Sequence, residues 1–377
     1  MEPLDPNLAV DATEAAAPKK KVPLWGKIGI GVAILMTIVV IAGFVIHVPY
    51  SVISPGEAVP LTGLVKVQGA QTFDKPRGDI RLLFVRERNH VSLWRYLQAK
   101  LDSDSDIFKE QQLNPDNKSQ KQQDQEAQDQ MTQAKQAATK VALQAAGYKV
   151  NSTITVASLA DKTPAAKVLR KGDIIKTADG REIQTEGELR NQIIKHKVGD
   201  DVVLGIIRDG KPMMVKVGVA ADENGRRYIG IKDMTTTFDS PVKVSVDTAG
   251  IGGPSGGLAM TLAILDDLTP GDLTGGTRVA VTGTIDADGN VGEIGGIEQK
   301  AVAARAAGAR VFIVPQCSPQ DPPPYLDACK KDLARATKRA GSNVKVVPVS
   351  TFDQALHVLR DNGGDPVVPS APATRAA

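Results

Sequence analysis

The chain has 377 residues, 42% of them hydrophobic and 24% charged, which is enough for two or three domains that each bury a core. A net charge of +3 and the lack of a basic stripe interleaved with aromatics exclude a nucleic-acid partner. Two cysteines and no Cys/His cluster exclude a disulfide scaffold or a metal centre, and no cofactor motif occurs. Met1 to Pro18 is rich in Ala, Pro and acidic residues, which predicts a disordered tail. From Ile28 to Ile46 follow 19 residues without a charge, Thr37 being the one polar side chain. With its flanks this stretch predicts a transmembrane helix over 24–48, long enough for a hydrocarbon core of roughly 30 Å. It is longer than a signal-peptide core, and no small-x-small cleavage site follows it closely. Lys19, Lys20, Lys21 and Lys27 precede the span, and no charged side chain follows until Glu57. The positive-inside rule then places residues 1–23 in the cytoplasm and those after about 49 outside, as in a single-pass cell-membrane protein. On that oxidising side Cys317 and Cys329 can pair; two free thiols are the alternative.

Residues 49–148 read as a mixed extracytoplasmic segment with a helical linker. Strands are expected over 63–69 and 79–85, and a short amphipathic helix over 91–101. A Gln/Asp/Lys-rich run from 117 gives way to an apolar helical stripe, Met131, Ala134, Ala138, Val141 and Ala145, stopped by Gly147. That helix either packs against a domain or is a solvated spacer.

Residues 149–232 alternate strands with Asp-Gly turns at Asp179-Gly180 and Asp209-Gly210, and a helix is expected over 186–196 after Thr185. Thr163-Pro164-Ala165-Ala166, Leu169-Arg170-Lys171-Gly172-Asp173-Ile174-Ile175, the two Asp-Gly turns and Gly199-Asp200 together resemble a PDZ domain. The resemblance implies a β-rich fold that adds an extended peptide as a strand. Near Val150–Val156, where a Gly-Leu-Gly-Phe-type carboxylate loop would be sought, the sequence is KVNSTITV and offers none. A spacer domain without ligand is the alternative reading.

The chemistry-bearing stretch is 242–315. A strand, VKVSVD, leads to Gly252-Gly253-Pro254-Ser255-Gly256-Gly257 and then to a helix, GLAMTLAILDDL. Ser255 thus stands where the first N–H groups of a helix are unpaired and can receive an oxyanion, while the glycines let a substrate backbone come close. Taken alone, Gly-Pro-Ser-Gly-Gly is ordinary turn chemistry and Ser a common helix cap. The downstream half adds weight: a strand RVAVTGTI (278–285), a hairpin turn Asp286–Asn290, and Gly295-Gly296-Ile297-Glu298-Gln299-Lys300 opening a helix. On that helix Lys300 shares a face with Ala303, Ala304 and Ala307, so it points inward, and burial lowers a lysine pKa until the neutral amine can take a serine proton. Arg305 and Arg310 point outward.

Gly253-Pro254-Ser255-Gly256-Gly257, Val281-Thr282-Gly283 and Gly295 to Lys300 followed by Ala303-Ala304-Arg305 resemble the proteolytic domain of Lon proteases over about 235–360. The resemblance implies an α+β domain in which Ser255 and Lys300, 45 residues apart, form a Ser–Lys dyad that cuts peptide bonds through an acyl-enzyme. Thr282 matches the family threonine that hydrogen-bonds the lysine, and Gly253, Pro254 and Gly256 shape the nucleophile turn. Lon-type domains assemble as rings, so a homo-oligomer is also implied. Two positions depart from the family: Gly252 replaces an acidic residue three before the serine, and Thr284 replaces a Glu after the Thr-Gly. With the span and the PDZ-like segment, the whole resembles the membrane-anchored, PDZ-containing Lon-like peptidases of bacteria. No GxxxxGK[ST] phosphate loop occurs in these residues, which implies cleavage of unfolded or exposed protein and peptide segments without ATP.

Two rivals stand beside this reading. Gly253-x-Ser255-x-Gly257 also fits the α/β-hydrolase elbow, whose base would have to be His357, the one histidine after Ser255. A non-enzymatic PDZ scaffold with an inactive Lon-like domain is the other; retention of both Ser255 and Lys300 speaks against it. Ser342-x-x-Lys345 lies at a turn running into a strand and is a chance match. The expected organisation is an α+β multidomain chain: a tail over 1–23, the span over 24–48, the mixed segment over 49–148, the PDZ-like domain over 149–232, the Lon-like domain over 233–362 and a disordered tail over 363–377.

Overall fold

The computed structural model describes residues 24–370 apart from Pro76, Asn224 and Ala249. The expected cytoplasmic tail and the last seven residues lie outside the described residues. The apolar run forms helix α1 (Leu24–Val45), of which Ile28–Val45 is apolar and long enough to cross a membrane. Its side chains beyond Ile28 are almost all exposed, so this is not the core helix of a soluble domain.

The N-terminal part then runs β1 (Tyr50–Pro60), β2 (Val65–Gln68), β3 (Asp79–Arg88), α2 (Leu93–Leu101), β4 (Asp106–Lys109), α3 (Glu110–Leu113) and α4 (Gln120–Ala145). The middle part comprises β5 (Asn151–Leu159), α5 (Pro164–Val168), β6 (Ile174–Ala178), β7 (Arg181–Glu182), α6 (Glu186–Ile193), β8 (Asp201–Arg208), β9 (Lys211–Gly218), β10 (Ala220–Ala221), β11 (Arg227–Tyr228) and β12 (Ile231–Asp239). The C-terminal part holds β13 (Lys243–Val246), a 3-10 turn (Pro254–Gly256), α7 (Gly257–Leu268), β14 (Arg278–Val281), β15 (Thr284–Ile285) and β16 (Val291–Gly292). It ends with α8 (Ile297–Ala306), β17 (Val311–Pro315), α9 (Pro323–Ala340), β18 (Lys345–Val349) and α10 (Phe352–Asp361).

The first and last parts share one six-stranded sheet, ordered β18-β17-β14-β3-β1-β4. At its seam β14 runs parallel to β3, with Val281 beside Leu82, while β1 joins β3 and β4 antiparallel. Residues 49–148 therefore complete the sheet of the C-terminal part instead of spacing that part from α1. Composition does not reveal this, because the strand that pairs with β14 lies before the PDZ-like part in the chain. Period-two alternation sends Val279 and Val281 to one face of the sheet and Ala280 to the other. The first face carries α7, α4 and α10, and the second α8 and α9. Ser119 caps α4, and its stripe of Met131, Ala134, Ala138 and Val141 is buried in the same core as Leu258, Ala259 and Leu262 of α7, which decides for a packing helix.

The middle part has its own sheet, ordered β12-β5-β6-β8-β9, around Ile154, Val156, Ile175, Leu189, Val202 and Leu204. After α10 the chain does not trail away. Asp365 N donates to Asp272 O at 2.9 Å, Asp272 N to Asp365 Oδ2 at 2.9 Å, and Ser370 N to Ala146 O at 3.1 Å. Val367 packs on the core, so residues 363–370 are docked and not a disordered tail. Gly364 permits this, since a Cβ there would lie 2.1 Å from Leu273 O.

Candidate active site

The two helical layers meet at the C-terminal end of β14. From the first comes the turn Pro254–Gly256, entered through Gly253 at φ 87°, a backbone that favours glycine. Pro254 opens the turn, where a missing N–H costs nothing. Gly256 and Gly257 are forced by close approach: a Cβ on Gly256 would meet Leu82 Cδ1 at 2.4 Å, and one on Gly257 would meet Ile285 N at 2.9 Å. From the second layer comes α8, begun by Gly296 at φ 66° and braced by Glu298, which is paired with Arg335 at 2.6 Å and Arg339 at 3.0 Å. Gln299 ties the same helix to Asp106 of β4 at 2.6 Å.

Lys300 extends from α8 through the core and ends between two hydroxyls. Its Nζ donates to Ser255 Oγ at 2.9 Å and to Thr282 Oγ1 at 3.0 Å. Thr282 Oγ1 in turn donates to Ser255 O at 3.2 Å, and Gly283 N donates to the same carbonyl at 2.9 Å. Lys300 is 2% exposed, Thr282 is buried, and Ser255 keeps partial access to solvent. Burial pushes the Lys300 amine down to about 7, because the ammonium form loses its hydration. A neutral amine held on a reachable serine can remove its proton, and the start of α7 presents N–H groups to an oxygen that gains charge.

The structure thus brings together Ser255, Lys300 and Thr282, with Gly253, Pro254 and Gly256 as the turn that carries the serine. The expected single strand 278–285 is broken at Thr282-Gly283, with Gly283 at φ 150°, and the break carries Thr282 to Lys300. His357 is exposed on α10, while the serine hydroxyl is bonded to lysine, which removes the support for a hydrolase triad. Helix α4 also reaches the site, a role its sequence did not announce. Ala127 O accepts from Gly253 N at 2.8 Å, and a Cβ on Gly252 would lie 2.8 Å from Ala127 Cβ. At Gly252, α4 thus occupies room that a side chain would need.

A second concave region lies in the middle part. Glu186, Leu189, Arg190 and Ile193 of α6, the residues Arg226–Ile231 and Met234 of β12 line a cavity of about 550 Å³. Strand β12 is at one end of its sheet, so an extended peptide could pair alongside it. Tyr228-Ile229-Gly230-Ile231 closes the groove, with Gly230 at φ 101° and its carbonyl accepting from Ala160 N at 3.0 Å. This glycine turn, and not the stretch near Val150, borders α6. The signal, a glycine among apolar residues after Arg226-Arg227, was present, but one sequence does not tell which strand borders α6. The cap of α6 contacts the proteolytic part: Thr185 Oγ1 donates to Asp288 Oδ1 in the turn between β15 and β16. Beside it Lys140 of α4, also buried, donates to Ala287 O at 2.8 Å. Finally, Cys317, after β17, is disulfide-bonded to Cys329 of α9, which settles the choice between bond and free thiols.

Comparison with known families gives a match at residues 122–219 to the PDZ domain and at 223–359 to the Lon protease (S16) C-terminal proteolytic domain. Among curated proteins the chain is 28% identical over 228 residues to the Lon protease of Trichlorobacter lovleyi, covering 56% of this chain and 25% of that protein. It is 33% identical over 175 residues to that of Ureaplasma parvum, covering 45% of this chain and 20% of the other. The chain spans about a quarter of the length of these relatives. Among solved structures, the PDZ domain of an SdrC-like protein from Listeria monocytogenes is 34% identical, covering 21% of this chain and 84% of that one, at a TM-score of 0.20. The chain thus pairs a segment similar to the PDZ domain, over 122–219, with one similar to the Lon protease (S16) C-terminal proteolytic domain, over 223–359.

Proposed function

We propose that the protein is a membrane-anchored serine endopeptidase that cuts unfolded or exposed segments of extracytoplasmic proteins without ATP. Ser255 is the nucleophile and Lys300 its base; Thr282 positions the lysine. The observation that carries this reading is the 2.9 Å contact between Lys300 Nζ and Ser255 Oγ, made by a lysine held near 7. Lys300 takes the hydroxyl proton as Ser255 attacks the peptide carbonyl, and N–H groups at the start of α7 receive the oxyanion. The lysine returns the proton to the leaving amine, and water, activated by the same amine, releases the acyl group.

The groove between α6 and β12 takes an extended peptide, a substrate or a regulator, whose terminal carboxylate fits the Tyr228–Ile231 loop and the adjacent Arg226 and Arg227. Anchoring by α1, with the catalytic part outside, is supported by the apolar span and the lysines before it.

The test is casein hydrolysis by the full chain in detergent, without nucleotide. Wild type should cleave, while Ser255→Ala and Lys300→Ala should retain no measurable turnover and His357→Ala should match wild type. A wild type that stays inert, with and without a groove peptide, would favour a binding scaffold over a peptidase.

A further inference from the structure

We propose that α2 is a membrane-surface helix that seats the catalytic part on the outer leaflet beside α1. This inference rests on α1 spanning the bilayer. Helix α2 starts at a Ser92 cap and carries Trp94, Leu97 and Leu101 at i, i+3 and i+7, one face of a helix. These side chains are 38%, 41% and 90% exposed, while Ala99 on the opposite face is buried against the domain. Arg95 and Lys100 flank the apolar row on its two sides, both exposed. An apolar stripe between cations is the pattern of helices that lie in a bilayer interface, where the stripe enters the acyl boundary and the cations meet phosphate groups.

The occupant of that face follows from its continuity with α1. Trp94 Nε1 donates to Val40 O at 3.0 Å, and its indole covers Gly43, where a Cβ would lie 2.0 Å from Nε1. Leu93 N donates to Ile46 O at 2.9 Å, and His47 pairs with Ser92 in an isolated bridge. Val40 and Gly43 lie within the apolar span, whose last residue is Val45. At a rise of 1.5 Å per residue, Val40 is about 7 Å inside the end of the span. That depth is within the roughly 5–10 Å to which interfacial helices sink. The exposed row thus lies against the C-terminal end of α1, and the chain leaves the span straight into the domain, with no free tether.

The test uses the full chain reconstituted in phosphatidylcholine–phosphatidylglycerol vesicles that carry brominated acyl chains. The protein has two tryptophans, Trp25 and Trp94, so three chains suffice. Trp94→Phe reports on Trp25, Trp25→Phe reports on Trp94, and Leu101→Trp in the doubly substituted background reports on the far end of α2. The proposal expects emission from Trp94 and from Leu101→Trp to fall by about half with bromines near the headgroup, and less with bromines near the bilayer centre. Quenching of Trp25 with none at Leu101→Trp overturns the seat and leaves the anchor standing. No quenching of any reporter overturns the anchor and the seat together. Lipid-independent shielding of Leu101→Trp from iodide that grows with protein concentration would assign the face to a second copy of the chain, and the proposal would fall.

Discussion

Lys300 Nζ and Ser255 Oγ are 2.9 Å apart although one side chain is anchored in a helix on one face of the central sheet and the other in a turn on the opposite face. The lysine reaches its partner through a core that strips it of water, so its protonation sets the pH range of the site. Hydrolysis should rise about tenfold per pH unit up to pH 7, where Lys300 loses its proton, and level off above about 8. A rate that stays flat between about pH 6 and 9 would remove Lys300 as the base.

The same burial opposes folding. Lys300 is held at about 7 against 10.5 for the free side chain, so its contribution to stability is most favourable above 10.5. Stability declines as pH falls from 10.5 to about 7, because only the unfolded chain takes the proton, and is constant below that. The full effect is roughly 5 kcal/mol. Lys300→Met removes it but leaves two hydroxyls short of a partner, at about 1 kcal/mol each. The variant should be inactive, yet more stable than wild type by about 2–3 kcal/mol at pH 7, read by denaturant unfolding. A variant less stable than wild type would show that the lysine is held more favourably than its burial implies.

Gly252 offers a test of how α4 supports the nucleophile turn. Gly252→Asp, which puts back the acid usual in the family, should push against Ala127 and lower activity at least about tenfold. Adding Ala127→Gly should restore most of it, a recovery seen in turnover and not in expression level. Failure of the second change to help would mean that the acid itself, and not its contact with α4, disturbs Ser255.

The contact of Thr185 with Asp288 joins the cap of α6, the helix that borders the groove, to the turn between β15 and β16. Asp288→Ala should leave peptide affinity at the groove within about twofold, since the groove lining is untouched. The effect of that peptide on casein hydrolysis, whichever its sign, should shrink toward none. Unchanged coupling in this variant would place the route elsewhere. Calorimetry for binding and turnover with and without peptide separate the two readouts.

The features legible in the sequence are those written in contiguous residues. The apolar span, the capped helix α6, the turn around Ser255 and the small-residue face that turns Lys300 inward all follow from local pattern and period. What stayed hidden depends on pairing between distant segments. Nothing local in Asp79–Arg88 says that it lies beside Arg278–Val281, so the N-terminal segment read as an accessory. The place of Tyr228–Ile231 beside α6 is hidden in the sequence for the same reason, being fixed by β12 pairing with β5. The docking of 363–370 is masked by a composition rich in Gly and Pro that resembles a loose end, although Asp365 finds two backbone partners there.

The seam between β3 and β14 also bears on how the protein is made. Synthesis proceeds from the N-terminus, so β1, β3 and β4 emerge long before the strand that must lie beside them, and the whole PDZ domain emerges in between. That domain has its own sheet and core and can fold early, while β1, β3 and β4 wait with an open edge. The contact between Ser255 and Lys300 cannot form until the last third of the chain arrives. A fragment beginning after the PDZ domain, though it holds both Ser255 and Lys300, would lack half of its central sheet and should not fold.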